Sequence, residues 1–412
     1  MTPATRTLDR IVATTDVHSN LAHSAGMLTQ LHAERGRSLV VDCGDFFEGT
    51  GFYRLGRGGI ERQILLSLYD VIAPGNHGWS HHFEPGLHEL TVCANAVAEA
   101  TGRPLFRPLH LVEIGGRKVA VTAVINPQAF SAIPLDQRAG HRAMDPVRAL
   151  RELLLAHHHE VDTWILLSHS GFEEDRELAS ECPFLDIVFA GHCHSDHYAP
   201  EPVGTTLVVK GAELGAGYAL AEPVGSGWAA RTCRFPDTAT LPAELEAIGE
   251  AIEAIRARLA APLGPVARRW QHTVPDRRDL LEAAAARLHT GLGAEAVILN
   301  ETALRPTALG EVLHLADLLA IEPFGNQLVH AALPEAVSGD LPGLLAHLTE
   351  RAGPLVVAPD PLPPGVRSVL TTDYLAETFL AGRADEAGLQ LGQAVRHVLA
   401  EIPPTRVEGE AE

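Results

Sequence analysis

The 412-residue sequence predicts an α/β domain followed by an α+β domain. Three observations carry that expectation. The length exceeds what a single hydrophobic core supports, so two domains are the natural division. Over the first 235 or so residues, short β-rich runs alternate with helical stretches, the pattern of a sheet with helices packed on its faces. Beyond them, "PDTATLPAELEAIGEAIEAIRARLAAPLGP" changes character. Its Ala/Glu/Arg-rich centre has helical periodicity and is bounded by Pro and Gly. The boundaries that follow are 1–237 for the first domain, 238–262 for a connecting helix and 263–412 for the second domain.

The β-rich runs of the first domain are "RIVATTD", "SLVVDCGD", "YDVIAPGNH", "KVAVTAVIN", "TWILLSHS", "LDIVFAGH" and "TTLVVKGAE". In the second domain "RRDLLEAAAARLHTG" and "SGDLPGLLAHLTERAG" read as helices, and "AVILN", "NQLVHAAL" and "PLVVAP" as short strands. A net charge of −20 argues against a surface made for nucleic-acid phosphates. The N-terminus lacks the apolar core of a signal peptide, and no apolar run is long enough to span a membrane. Five cysteines at unrelated spacings fit reduced thiols, which makes the cytoplasm the expected compartment.

Several predicted strands end in the same kind of residue. "IVATTDVHSN" delivers Asp16 and His18, "VVDCGD" Asp45, "VIAPGNH" Asn76 and His77, "WILLSHS" His169, and "IVFAGHCH" His192 and His194. Sites in open α/β sheets form outside the carboxyl ends of strands, where the loops converge. Imidazole and carboxylate together suit Zn, Mn, Fe or Co better than Ca or Mg alone. With His77 set aside, the other seven are too many for one tetrahedral ion. They suit two ions sharing a bridging carboxylate, roughly 3.5–4 Å apart. Other polar clusters read differently: "HHH" at 157–159 as a solvated helix end, "GRGG" at 56–59 as a turn, and Cys193 as facing away from its two histidine neighbours.

The ordered series "DVH", "GDFFEG", "GNH", "SHS" and "GHCH" resembles the motif series of the calcineurin-like metallophosphoesterases. "CANAV" (93–97), "LNETALRP", "HLADLLAIEPFGNQLV" and "TTDYLAETF" extend the resemblance towards the two-domain branch of 5′-nucleotidases and 2′,3′-cyclic phosphodiesterases. The resemblance implies a β-sandwich flanked by helices, α/β/β/α, followed by a C-terminal substrate-binding domain. It implies that Asp16, His18, Asp45 and His194 hold one divalent ion and Asp45, Asn76, His169 and His192 the other. The ions would activate a shared hydroxide for attack on phosphorus, with His77 as general acid. Arg305, Phe324, Asn326 and Tyr374 would contact the substrate, a small phosphate ester of nucleotide type.

The activity so implied is that of a phosphoric-monoester hydrolase. A cyclic phosphodiesterase or nucleotide-sugar pyrophosphatase is the alternative, and a metal-binding module without catalysis a further one. Two positions depart from the family pattern. Ser80 stands where an Asp three residues beyond the catalytic His usually orients its ring, so Ser80, Glu84 or a backbone carbonyl is left for that task. Leu380 stands where an Asp would hold ribose hydroxyls. His81 and His82 fall on the loop beyond His77, where a rim or substrate-facing role competes with simple exposure.

Overall fold

The structure, a computed structural model, describes residues 6–195, 197–238, 240–333, 340–380 and 384–400. It divides into two compact units, residues 1–255 and 256–412. The division falls inside the helix Glu246–Leu259, within the segment expected to connect the domains. No helix among the described residues is long and apolar enough to cross a membrane.

In chain order the first unit carries β1 (Arg10–Thr14), β2 (Ser38–Asp42), β3 (Val71–Ile72), β4 (Ala96–Ala98), β5 (Leu109–Ile114), β6 (Arg117–Ile125) and β7 (His141–Ala143). It continues with β8 (Thr163–His169), β9 (Ile187–Ala190), β10 (Glu201–Val203), β11 (Thr206–Lys210), β12 (Gly217–Val224) and β13 (Gly227–Arg234). Two sheets result, in the orders β13-β12-β1-β2-β3 and β10-β11-β9-β8-β6-β5, with β4 and β7 paired apart from them. All seven runs read as strands from the sequence of this half are strands.

The central strands β1, β2 and β3 run parallel, as do β6, β8, β9 and β11. Strands covered on both faces need apolar residues at nearly every position, which is why β2 and β8 are buried from end to end. Between the sheets lies a core that takes Ile11, Leu39 and Val41 from one and Val121, Ile165, Leu167 and Phe189 from the other. Behind the second sheet, Leu166 and Val188 pack with Leu150 and Leu178 of the helices Pro146–His157 and Phe172–Glu181. The helix Ala25–Glu34 packs on β2 and on the helix Gly59–Leu68, which completes the α/β/β/α order.

The second unit carries β14 (Pro262–Pro265), β15 (Val297–Asn300), β16 (Val312–His314), β17 (Gln327–Ala332), β18 (Leu355–Ala358), β19 (Ser368–Thr372) and β20 (Ala384–Gln390). Five of these form a mixed sheet, β18-β15-β19-β17-β20, and β14 pairs with β16. One face packs on the helices Arg277–Leu292 and Leu391–Leu399, the other on Leu341–Ala352. Asp276 starts the first of these helices by accepting the amides of Arg278 and Asp279, and Gly293, at φ 63°, ends it in the left-handed conformation.

One buried group makes the stability of the first unit sensitive to pH. Asp175 of the helix Phe172–Glu181 is fully buried, and neither carboxyl oxygen has a hydrogen-bond partner of good geometry among the described residues. Burial pushes its pKa up to about 8, and the Ser168 hydroxyl offsets only part of that rise. The folded chain therefore keeps a proton that the unfolded chain gives up near pH 4. Stability from this group is complete below that value and is lost as pH rises through about 8. Asp175→Asn removes the titration, so its melting temperature relative to wild type should climb between pH 5 and pH 8 in chelator-treated protein. A difference that stays constant across that range in thermal melts would rule out a protonated Asp175.

Candidate metal centre

The carboxyl ends of β1, β2, β3, β8 and β9 bring the predicted donors together. The donor atoms of Asp16, His18 and His194 lie within 4.8 Å of one another, and so do those of Asp45, His169 and His192. A third group of the same tightness, His18, Asp45 and His77, joins the two. Ring centroids of His18 and His194 are 5.3 Å apart, and those of His169 and His192 are 5.0 Å apart.

The backbone bends sharply to present these side chains. Asp16, His18, Asp45 and His192 have φ of 49, 50, 56 and 73°, the left-handed region that non-glycine residues seldom occupy. Cross-loop hydrogen bonds hold the bends. Asp16 N–H donates to Gly44 O at 3.0 Å, His18 N–H to Asp45 O at 2.9 Å, and His192 N–H to the Asp16 carboxylate at 3.1 Å. Gly75 permits the approach of the third strand end, since a Cβ there would fall 1.9 Å from Asp45 Oδ1.

The donor set fits a divalent cation because lone pairs face one another. His169 Nδ1 lies 2.9 Å from the Cys43 carbonyl, which can only accept, so that nitrogen carries the ring proton. In the neutral ring Nε2 then points its lone pair at Asn76 Oδ1 and Asp45 Oδ2, each 3.2 Å away. Among the described residues His18 Nε2 is buried without a hydrogen-bond partner, 3.7 Å from Asp45 Oδ2 and 3.9 Å from Asp16 Oδ1. Such convergence of acceptors is unfavourable unless a proton or a metal ion neutralises it.

The electrostatics agree. Burial raises the Asp16 carboxyl to about 6 and lowers the His18 and His192 imidazoles to about 4, which leaves both rings neutral and able to ligate. Burial also opposes charge on His169, but the adjacent Asp45 carboxylate prevails and raises it to about 9. Asp45, despite its own burial, is held well below the ordinary carboxylate range by His169. A proton on His169 thus occupies the position that suits a cation.

His77 stands beside these groups and is half exposed. Its backbone N–H donates to Asp45 Oδ1 at 2.8 Å, and its Nδ1 lies 3.0 Å from Glu48 Oε2. Burial of the ring disfavours its charge, but the Glu48 and Asp45 carboxylates outweigh that and raise its pKa. The residue that orients His77 is therefore Glu48, not Ser80, Glu84 or a backbone carbonyl. Ser80 offers its N–H to Gln137 Oε1, and Glu84 is engaged by His81 Nδ1 at 2.6 Å and Arg62 at 3.1 Å.

The rim reading of the next two histidines is also overturned. His82 is buried, bonded to Thr91 at 3.1 Å, and burial lowers it to about 3. His81 stacks on Phe47 with centroids 4.4 Å apart and meets the Tyr53 hydroxyl at 2.9 Å. Both hold the loop in place. Cys193 accepts the Phe172 N–H and packs in the core behind the second sheet. Asn95 of "CANAV" bridges the Ile125 and Met144 carbonyls, a buried structural tie.

In the second unit, a cavity of about 330 Å³ is lined by Asn300, Thr302, Arg305, Phe324, Asn326 and Tyr374, which gathers all four predicted substrate contacts. Phe324 and Tyr374 are about half exposed, and the Arg305 guanidinium lies 5.0 Å from the Phe324 ring centroid. Buried Glu322 fixes the loop by accepting the Gly325 and Asn326 amides and, at 2.8 Å, the Asn326 side-chain N–H. Leu380 does not line the cavity; it is 2% exposed and belongs to the core behind the sheet.

Known proteins resemble this chain in sequence and fold. The family model of calcineurin-like phosphoesterases matches residues 9–196. A snake venom 5′-nucleotidase from Crotalus adamanteus is 26% identical over 211 residues, covering 47% of this chain and 34% of the venom protein. The chain thus spans about a third of the length of that relative. Among solved structures, a 5′-nucleotidase precursor from Thermus thermophilus superimposes with a TM-score of 0.67 at 18% identity, over 95% of this chain and 96% of the other. The sulfate thiohydrolase SoxB of the same organism, solved with glycerol, gives a TM-score of 0.66 at 18% identity, over 97% and 95% of the two chains. Residues 9–196 thus match the calcineurin-like phosphoesterase model, and the chain has a two-unit fold similar to that of a solved 5′-nucleotidase.

Proposed function

We propose that this protein hydrolyses a phosphate monoester of a nucleotide or nucleotide-like metabolite in the cytoplasm, using two divalent cations and His77. The observation that carries the reading is the convergence of His169 Nε2 on Asn76 Oδ1 and Asp45 Oδ2, a position that takes either a proton or a cation, beside a histidine held by Glu48. Asp16, His18, Asp45 and His194 would hold one cation, and Asp45, Asn76, His169 and His192 the other. Mn, Zn, Fe or Co bound there would polarise phosphoryl oxygens and make a water molecule acidic enough to be a nucleophile near neutral pH.

The remaining work belongs to the chain. Glu48 holds His77 by Nδ1, which leaves Nε2 free to give a proton to the leaving oxygen. Arg305 offers a fork of donors to an anionic group, and Phe324 and Tyr374 offer ring faces to a flat one. That the venom relative is a 5′-nucleotidase supports a nucleotide-like substrate. The likeness to a sulfate thiohydrolase leaves the choice of substrate to the cavity rather than the fold. Five free cysteines suit a reducing compartment.

The deciding experiment is a phosphate-release panel over nucleotides, cyclic nucleotides and sugar phosphates, with Mn, Zn, Fe, Co and Mg added in turn. Direct release of inorganic phosphate supports a monoesterase; a monoester product would identify a cyclic phosphodiesterase or pyrophosphatase instead. A metal-loaded protein inert to the whole panel would be a binding module.

Asp45→Ala should lose bound cation and activity together. His77→Ala should retain the cations while kcat falls about 10²–10⁴-fold, and full activity in that variant would remove His77 from the chemistry. Glu48→Gln keeps a hydrogen-bond acceptor but not the charge, so kcat should drop roughly ten- to a hundredfold at unchanged cation content. A loss of cations from Glu48→Gln would contradict a role confined to His77. Tyr374→Ala should raise KM about tenfold on a nucleotide, as expected from about 1–3 kcal/mol of lost stacking, with kcat little changed. Equal KM values for the two proteins would take Tyr374 out of substrate binding.

A further inference from the structure

The segment that follows β11 touches both loops supplying Asp16, His18 and His194. Lys210, the last residue of β11, is wholly buried. A buried ammonium is very unfavourable unless its donors are satisfied, and Lys has three. Here Nζ donates to the Cys193 carbonyl at 2.9 Å, to the Ser195 carbonyl at 2.6 Å, and to the Glu213 carboxylate. Those two carbonyls flank His194, so a single cation grips the chain on both sides of that ring. Glu213 is itself held by the Tyr198 hydroxyl at 2.8 Å, and the Tyr198 ring lies 5.0 Å from Nζ.

Four residues on, Leu214 turns into the left-handed region at φ 55° and donates its N–H to the Asp16 carbonyl at 2.8 Å. Its own carbonyl accepts Asn20 Nδ2 at 3.1 Å. Residues 210–214 therefore bracket the His194 loop against the turn that carries Asp16 and His18. The donors of the other position are tied elsewhere than to Lys210: His169 is fixed by the Cys43 carbonyl, and the His192 N–H donates to the carboxylate of Asp16, whose own N–H is held by the Gly44 carbonyl.

We infer that Lys210 is a positioning residue that sets His194 against Asp16 and His18, so that loss of its ammonium weakens that cation position and spares the one built on Asp45, Asn76, His169 and His192. The inference rests on the two-cation reading above. It is tested on full-length wild type, Lys210→Met, Glu213→Gln and Lys210→Met/Glu213→Gln, each stripped with chelator and titrated with Mn²⁺. Metal content after dialysis and calorimetric affinity are read alongside far-UV circular dichroism. The double variant removes the carboxylate that Lys210→Met leaves buried and unpaired, and so serves where the single variant does not fold.

Wild type should bind two equivalents. Both variants lacking the ammonium should hold one at wild-type affinity and bind the second at least about tenfold more weakly. Glu213→Gln, which keeps the grip of Lys210 on both carbonyls, should retain two. Two unchanged equivalents, or equal weakening of both, in the variants without Lys210 would overturn the assignment. Failure of both to fold would do the same, by giving Lys210 to the fold rather than to His194. A wild-type content below two would overturn the two-cation reading itself, and this assignment with it.

Discussion

Asp45 is the residue on which the rest of the first unit turns. Its backbone carbonyl accepts the His18 N–H, its Oδ1 accepts the His77 N–H, and its Oδ2 faces the Nε2 atoms of His169 and His18. Three strand ends are thus registered against one short acidic side chain. The neighbouring chain must come close enough to share that side chain, which is why residue 75 has no room for a Cβ. Everything that makes the cluster suitable for cations follows from packing so many acceptors around one carboxylate.

Such an arrangement is unfavourable by itself. Backbone bends at Asp16, His18, Asp45 and His192, and buried imidazoles whose lone pairs meet carboxylates, would not persist on a loose scaffold. The rigidity comes from the parallel strands behind them, whose residues are apolar on both faces and packed between helices and a second sheet. Strain and burial are thus concentrated at one edge of the sandwich, where the loops end on fully buried strands.

How much of this is legible in the sequence follows from the same physics. Parallel strands buried on both faces read as unbroken apolar runs, so β1, β2, β8 and β9 and their terminal Asp and His residues stand out. The flanking antiparallel strands β5, β10, β12 and β13 do not: β13, for example, is exposed along much of one face and carries mixed residues. In the second unit β14, β16, β19 and β20 escape a reading as strands, β19 because its residues overlap a motif that reads as a segment rather than an element. Glu48 is invisible as the partner of His77 because local spacing points to Ser80 or Glu84, whereas the contact crosses from one strand end to another. Lys210 looks like an ordinary end to "TTLVVK", since no pattern announces that its ammonium lies inside the protein. The second-unit cavity is legible residue by residue, because Arg305, Phe324, Asn326 and Tyr374 each sit in a short recognisable segment.

Leu380 bears on which substitutions the second unit can accept. Its side chain is part of an apolar core with Val369, Leu348 and Ala376. An acid at such a position would place an unpaired carboxylate among hydrocarbon side chains. Packing alone therefore bars this position from offering a carboxylate to a ligand, unless its neighbours are repacked as well.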